Sequence, residues 1–158
     1  MAVWQVDFHV VPRRAVTAAG HLLTSAVLHD TNWWAGASFP ADYATRLATV
    51  VSAARSARAD LETWGREDGN RVDVWSDGGG VTRVKVRVDV RRLDSKFGAA
   101  LIGFVRTADA VLVRSDGLVV EPIINAYAGA LRSSGAWRYA SDPAAFLAAR
   151  AAYDEDEE

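Results

Sequence analysis

Four valines, Val84, Val86, Val88 and Val90, alternate with Arg83, Lys85, Arg87, Asp89 and Arg91. Side chains on a strand point to opposite faces with a period of two, so this run demands a strand with one buried and one polar face. Few other arrangements satisfy it, and the rest of the chain must supply a core for that valine stripe. A second run, Arg71-Val72-Asp73-Val74-Trp75, alternates in the same way just upstream. Asp77-Gly78-Gly79-Gly80 lies between the two, and glycines tolerate the positive φ of hairpin turns. A hairpin over residues 72–91 follows. Trp4 to Val10 forms a third such strand, with apolar residues at even positions and Gln5, Asp7 and His9 at odd ones. Pro12 ends it.

Helical spacing fills the intervals. Ala15 to Leu28 is apolar enough for a helix, weakened by Gly20. Pro40 suits a helix start. Tyr43, Leu47, Val50, Val51 and Ala54 then recur at helical spacing, and Leu61 and Trp64 extend the face towards Gly65. Asp94 or Ser95 can cap a helix carrying Phe97, Leu101, Phe104, Val105 and Ala108. A short strand at 110–114 turns through Ser115-Asp116-Gly117 into 118–120. Pro122 opens a helix with Ile123, Ile124, Tyr127 and Leu131, and Ser141-Asp142-Pro143 starts a last one with Phe146 and Leu147.

The order is strand, helix, strand, strand, helix, strand, with a further strand and two helices. This predicts an α+β fold with a ferredoxin-like, split β-α-β core. The expected sheet is antiparallel with helices on one face, its first and third strands parallel neighbours, and an extra C-terminal hairpin strand and two helices beyond. Residues 1–153 are expected to form one domain, with 13–39 inserted after the first strand. The acid run 154–158 is expected to be a disordered tail.

Composition removes whole classes of function. The chain has 158 residues, no cysteine and a net charge of −2. Disulfides and thiolate metal sites are therefore impossible. No long uncharged apolar run exists, so no membrane span is expected. Asp7 interrupts the apolar run that a cleaved leader needs. Lysine occurs only at 85 and 96, all other basic residues being arginine, a bias typical of high-GC coding sequence. A bacterial, cytoplasmic setting is the expectation. No Gly-x-Gly-x-x-Gly, His-Glu-x-x-His or Gly-x-Ser-x-Gly pattern is present. No cofactor and no metal are expected.

The chemistry that remains lies on the odd-numbered strand faces. They gather Gln5, Asp7, His9, Asp73, Trp75, Lys85, Arg87, Asp89 and Arg91 on one surface. The plainest account is a solvated face of cross-strand ion pairs, Asp7 with Arg87 or Lys85 and Asp73 with Arg91 or Arg83. A mixed-sign array also suits orientation-specific docking, because a wrong register sets like charges together. Trp33-Trp34 lies in a polar loop, where one indole anchors and the other is partly exposed. The leading expectation is thus a non-catalytic protein that binds a protein partner or a second copy. Its candidate contacts are Trp33, Trp34, Asp73, Trp75, Lys85, Arg87 and Arg91. The competing reading is a small acid–base or metal-dependent enzyme centred on Asp7, His9 and Asp89. His21 and His29 are expected to be remote from that trio. Nucleic acid is not an expected partner, since the central strands expose Asp7, His9, Arg87 and Asp89 where base stacking needs aromatics.

Overall fold

The structure is a computed structural model that describes residues 2–19 and 22–155. His21 and the acid-run residues 156–158 lie outside the described residues. The described residues form an α+β fold, a seven-stranded open sheet with seven helices. In chain order these are β1 (Gln5–Pro12), α1 (Arg13–Ala19), α2 (Ser25–Asp30), α3 (Tyr43–Ala48), β2 (Ala53–Ala54), β3 (Leu61–Gly65) and β4 (Arg71–Asp77). There follow β5 (Gly80–Asp89), α4 (Ser95–Thr107), β6 (Ala110–Arg114), β7 (Val119–Val120), α5 (Ile124–Arg132), α6 (Gly135–Ser141) and α7 (Pro143–Glu155). α7 takes in Asp154 and Glu155, the first two residues of the acid run.

The sheet order is β2-β3-β4-β5-β1-β6-β7, and every neighbouring pair is antiparallel. The β4–β5 hairpin forms as its alternation demands, with Asp77 opposite Gly80 across Gly78 and Gly79. Gly80 takes φ +120°, which a side chain would resist. β1 and β5, the expected first and third strands, are central neighbours but antiparallel, with Val6 opposite Val88 and Phe8 opposite Val86. The expected parallel pairing is thereby corrected.

Two further expectations are overturned. Residues 40–64 are not one helix: α3 stops at Ala48, and Leu61–Gly65 is strand β3. Trp64 pairs with Val72 and is buried by the sheet. Helices also cover both faces. On the even face Val6, Phe8, Val10, Val72, Val74, Val84, Val86 and Val88 meet Phe97, Leu101, Phe104 and Val105 of α4 and Leu131 of α5. On the odd face Val11, Val111 and Val113 form a second core with Leu23 and with Leu28 of α2, against Ala15 and Val16 of α1.

The segment after β1 crosses the end of the sheet to connect these cores. The β1–β5 ladder ends at His9 opposite Lys85. There Trp34 enters, its backbone N–H donating to the Thr82 carbonyl at 2.9 Å and its indole N–H to the Val10 carbonyl at 2.8 Å. Phe39 stacks edge-on against it and against Phe104. Among the described residues, no helix is long and apolar enough to cross a membrane.

Candidate functional site

The odd face of β4, β5 and β1 carries the polar residues that the alternation places there, but they are far more enclosed than a solvated face would make them. Asp7 is 5% exposed and His9 6%. Gln5, Asp73 and Asp89 are also buried. Long cations on neighbouring strands fold over the acids and shield them. Lys85 Nζ lies 2.8 Å from Asp7 Oδ2, and Arg87 Nε donates to Asp7 Oδ1 at 3.0 Å. Both cations are themselves largely covered, with side chains 19% and 15% exposed. Burial alone pushes the Asp7 carboxyl up, but the hydrogen bonds and charges of Lys85 and Arg87 outweigh it and hold Asp7 below its ordinary value.

Each remaining acid is also committed. Asp73 stands opposite Lys85 in the ladder, yet its Oδ1 accepts from Thr63 Oγ1 and Arg71 Nε, both at 2.9 Å. The expected pairing with Arg91 or Arg83 is corrected, because the adjacent Arg71 projects from the same face two residues away. Asp89 accepts from the Arg91 backbone N–H and side-chain Nε at Oδ1 and from Arg91 Nη2 at Oδ2. Burial raises the Asp89 carboxyl, but these bonds prevail and lower it. Gln5 donates to the Glu67 and Gly69 carbonyls and so ties the β3–β4 turn to β1.

His9 is different in kind. Burial and the Lys85 charge lower its imidazole from 6.5 to about 4, so it is neutral at pH 7. His29 on α2 lies near enough to contribute to that lowering, against the expectation that it is remote. The trio Asp7, His9 and Asp89 does not converge. Asp89 stands opposite Gln5, four residues along β1 from His9, a separation of about 13 Å at the strand rise. No group of three metal-ligating side chains occurs among the described residues.

The aromatic candidates divide. Trp34 is 2% exposed and belongs to the even-face core. Trp33 is half-buried, packs against both cores and donates its indole N–H to the Leu28 carbonyl. Trp75 stays half-exposed on the odd face, with the Arg83 guanidinium 4.6 Å from its ring centroid. Arg83 also donates to the His29 carbonyl, which fastens α2 to β5. Trp4 and Arg91 form a similar stack at 4.1 Å. Arg71, Thr63 and these two stacks were not among the sequence candidates. The two-residue spacing of Arg71 and Asp73 was the available signal for the first.

Fold and face together define an open-sheet α+β protein with a charged, internally paired sheet face. Comparison with protein family models, with curated proteins and with solved structures finds no match to this chain.

Proposed function

We infer that this is a non-catalytic binding protein whose odd sheet face docks a protein partner that presents carboxylates. The observation that carries this reading is the surplus of cations on that face. Arg71, Arg83, Lys85, Arg87 and Arg91 stand against Asp7, Asp73 and Asp89, although the whole chain is net negative. Arg83 has no carboxylate partner among the described residues and lies over the half-exposed Trp75. Trp and Arg side by side are the residue types that dominate interface energetics. Acid–base catalysis gains nothing here, since both carboxylates are held by cations and the imidazole is buried.

The finer fold reading belongs with this one. β5 lies between β1 and β4, which run in the same direction, and α4 joins β5 to β6. That order supports a ferredoxin-like, split β-α-β core. A bacterial cytoplasmic setting rests on the arginine-rich composition alone.

The test compares wild type with Trp75→Ala, a change at a half-exposed side chain outside the buried core. An acidic protein captured from host lysate by wild type, released by salt and lost in the variant at unchanged melting temperature, supports the reading. A wild-type dimer in sedimentation that the variant lacks makes the partner a second copy. If capture and sedimentation are identical for both proteins, the face is solvent-facing and the reading fails.

A further inference from the structure

On the opposite side of the sheet a cavity of about 200 Å³ opens between β5, the start of α4, α5 and α6. Val88, Phe97, Leu131 and Trp137 give it an apolar wall. Tyr127 brings a hydroxyl to that wall, and Asn70, Asp94, Ser95 and Arg132 are its other polar residues. The Tyr127 side chain is 6% exposed, its ring lies 6.0 Å from that of Phe8, and it passes so close to Gly98 that a Cβ there would stand 3.1 Å from Tyr127 Cε1. Gly98 thus leaves the space that the ring occupies. Among the described residues nothing hydrogen-bonds the Tyr127 hydroxyl. Its oxygen is not among the fully buried side-chain atoms left without a partner, so it keeps access to space from which an occupant of the cavity, or water, can supply one.

Size and charge narrow the occupant. An apolar cavity of about 150 Å³ holds one benzene ring, so this one admits a single six-membered ring with a small substituent. Asp94 and Arg132, one of each sign, stand at its edge, and the cavity favours neither anion nor cation. Burial, with the Asp94 charge, raises the Tyr127 hydroxyl above its ordinary range, so it remains a donor at neutral pH. Mostly apolar walls with a few placed polar groups are the usual make-up of a small-molecule site.

We propose that this cavity binds a small neutral phenolic molecule, its ring against Phe97 and Leu131 and its oxygen on the Tyr127 hydroxyl. The site is separate from the charged face and does not depend on it.

The test titrates phenol and toluene into isotopically labelled wild type, Tyr127→Phe and Ala128→Phe while amide shifts are followed. Wild type should show saturable shifts confined to the cavity residues. Phenol should bind about five- to ten-fold more tightly than toluene, the net worth of one hydrogen bond. Tyr127→Phe should erase that preference and keep toluene binding, which a purely structural role for Tyr127 does not predict. Ala128→Phe fills the cavity and should abolish both. Absence of saturable shifts in wild type, shifts centred elsewhere, or a phenol preference that survives Tyr127→Phe overturns the proposal.

Discussion

The indole N–H of Trp34 donates to the carbonyl of Val10 at 2.8 Å, across the point where β1 leaves β5. One side chain thereby closes the end of the β1–β5 ladder and fills the even-face core beside Phe39. Trp34→Ala removes both and should destabilise the fold by about 3–5 kcal/mol. Trp34→Phe keeps most of the packing and leaves the Val10 carbonyl unpaired, at about 1–3 kcal/mol. Urea unfolding of the two variants beside wild type checks the order. Equal losses would show that the packing adds nothing beyond the hydrogen bond, and an unchanged Trp34→Phe would show that the hydrogen bond contributes nothing.

His9 makes stability depend on pH in a defined window. Its folded-state value of about 4 lies below the unfolded 6.5. Between those values the unfolded chain binds a proton that the folded chain refuses, so stability rises with pH there. The contribution is complete above pH 6.5, falls on acidification and is lost by about pH 4. The total is on the order of 3 kcal/mol. His9→Leu should flatten the dependence of the urea midpoint between pH 7 and 4.5. A variant with the same slope as wild type assigns the dependence to other groups.

Asp7 acts lower on the scale. Its carboxyl is held below 3.8, so its stabilising effect is present above that value and disappears as pH falls through the folded value. Asp7→Asn strands Lys85 and Arg87 without their counter-charge. Because both cations keep some contact with water, the loss should fall near the low end for broken buried pairs, about 3 kcal/mol. Adding Lys85→Met to Asp7→Asn should recover part of it. Strict additivity of the two losses by thermal unfolding would mean that the pair is not coupled.

Gly117 and Gly80 both take positive φ, at +91° and +120°. A Cβ at Gly117 would stand 2.5 Å from the Leu23 carbonyl oxygen, whereas one at Gly80 meets nothing within 4 Å. Gly80→Ala therefore suffers backbone strain alone, about 1 kcal/mol, and Gly117→Ala adds a collision with main chain, for about 2–3 kcal/mol. Melting temperatures in the reverse order would contradict the close approach of Leu23 to the β6–β7 turn.

The hairpin β4–β5 was legible because its signals are local: period-two valines and a turn rich in glycine. β3 was not. Leu61 and Trp64 are three apart, a spacing that a helix face also uses, and only pairing with Trp75 and Val72 makes them strand. Tertiary contact overrode the local pattern there. The face residues were legible from alternation, but their enclosure was not, since it arises from lysine and arginine stems reaching across strands. The Tyr127 cavity was hidden because tyrosine on an apolar helix stripe reads as core. Gly98, small and inside the α4 stripe, was the trace of the ring that lies against it.

The central position of β1 has a consequence for synthesis. Its partners are far along the chain: 80 positions separate Asp7 from Arg87, and 108 separate Asp7 from Ser115, whose amide bonds to it. At about 5–20 residues per second, a ribosome needs roughly 4–16 s to make the first of these after β1. For that time a strand that will be buried on both sides has no neighbour, while the β4–β5 hairpin can close as soon as it emerges. The nascent sheet can therefore begin at the β4–β5 hairpin and take up its earliest strand afterwards, and β6 and β7 join only through that strand. Chains arrested before β5 should leave residues 5–12 open to protease, and chains arrested well beyond α5 should protect them.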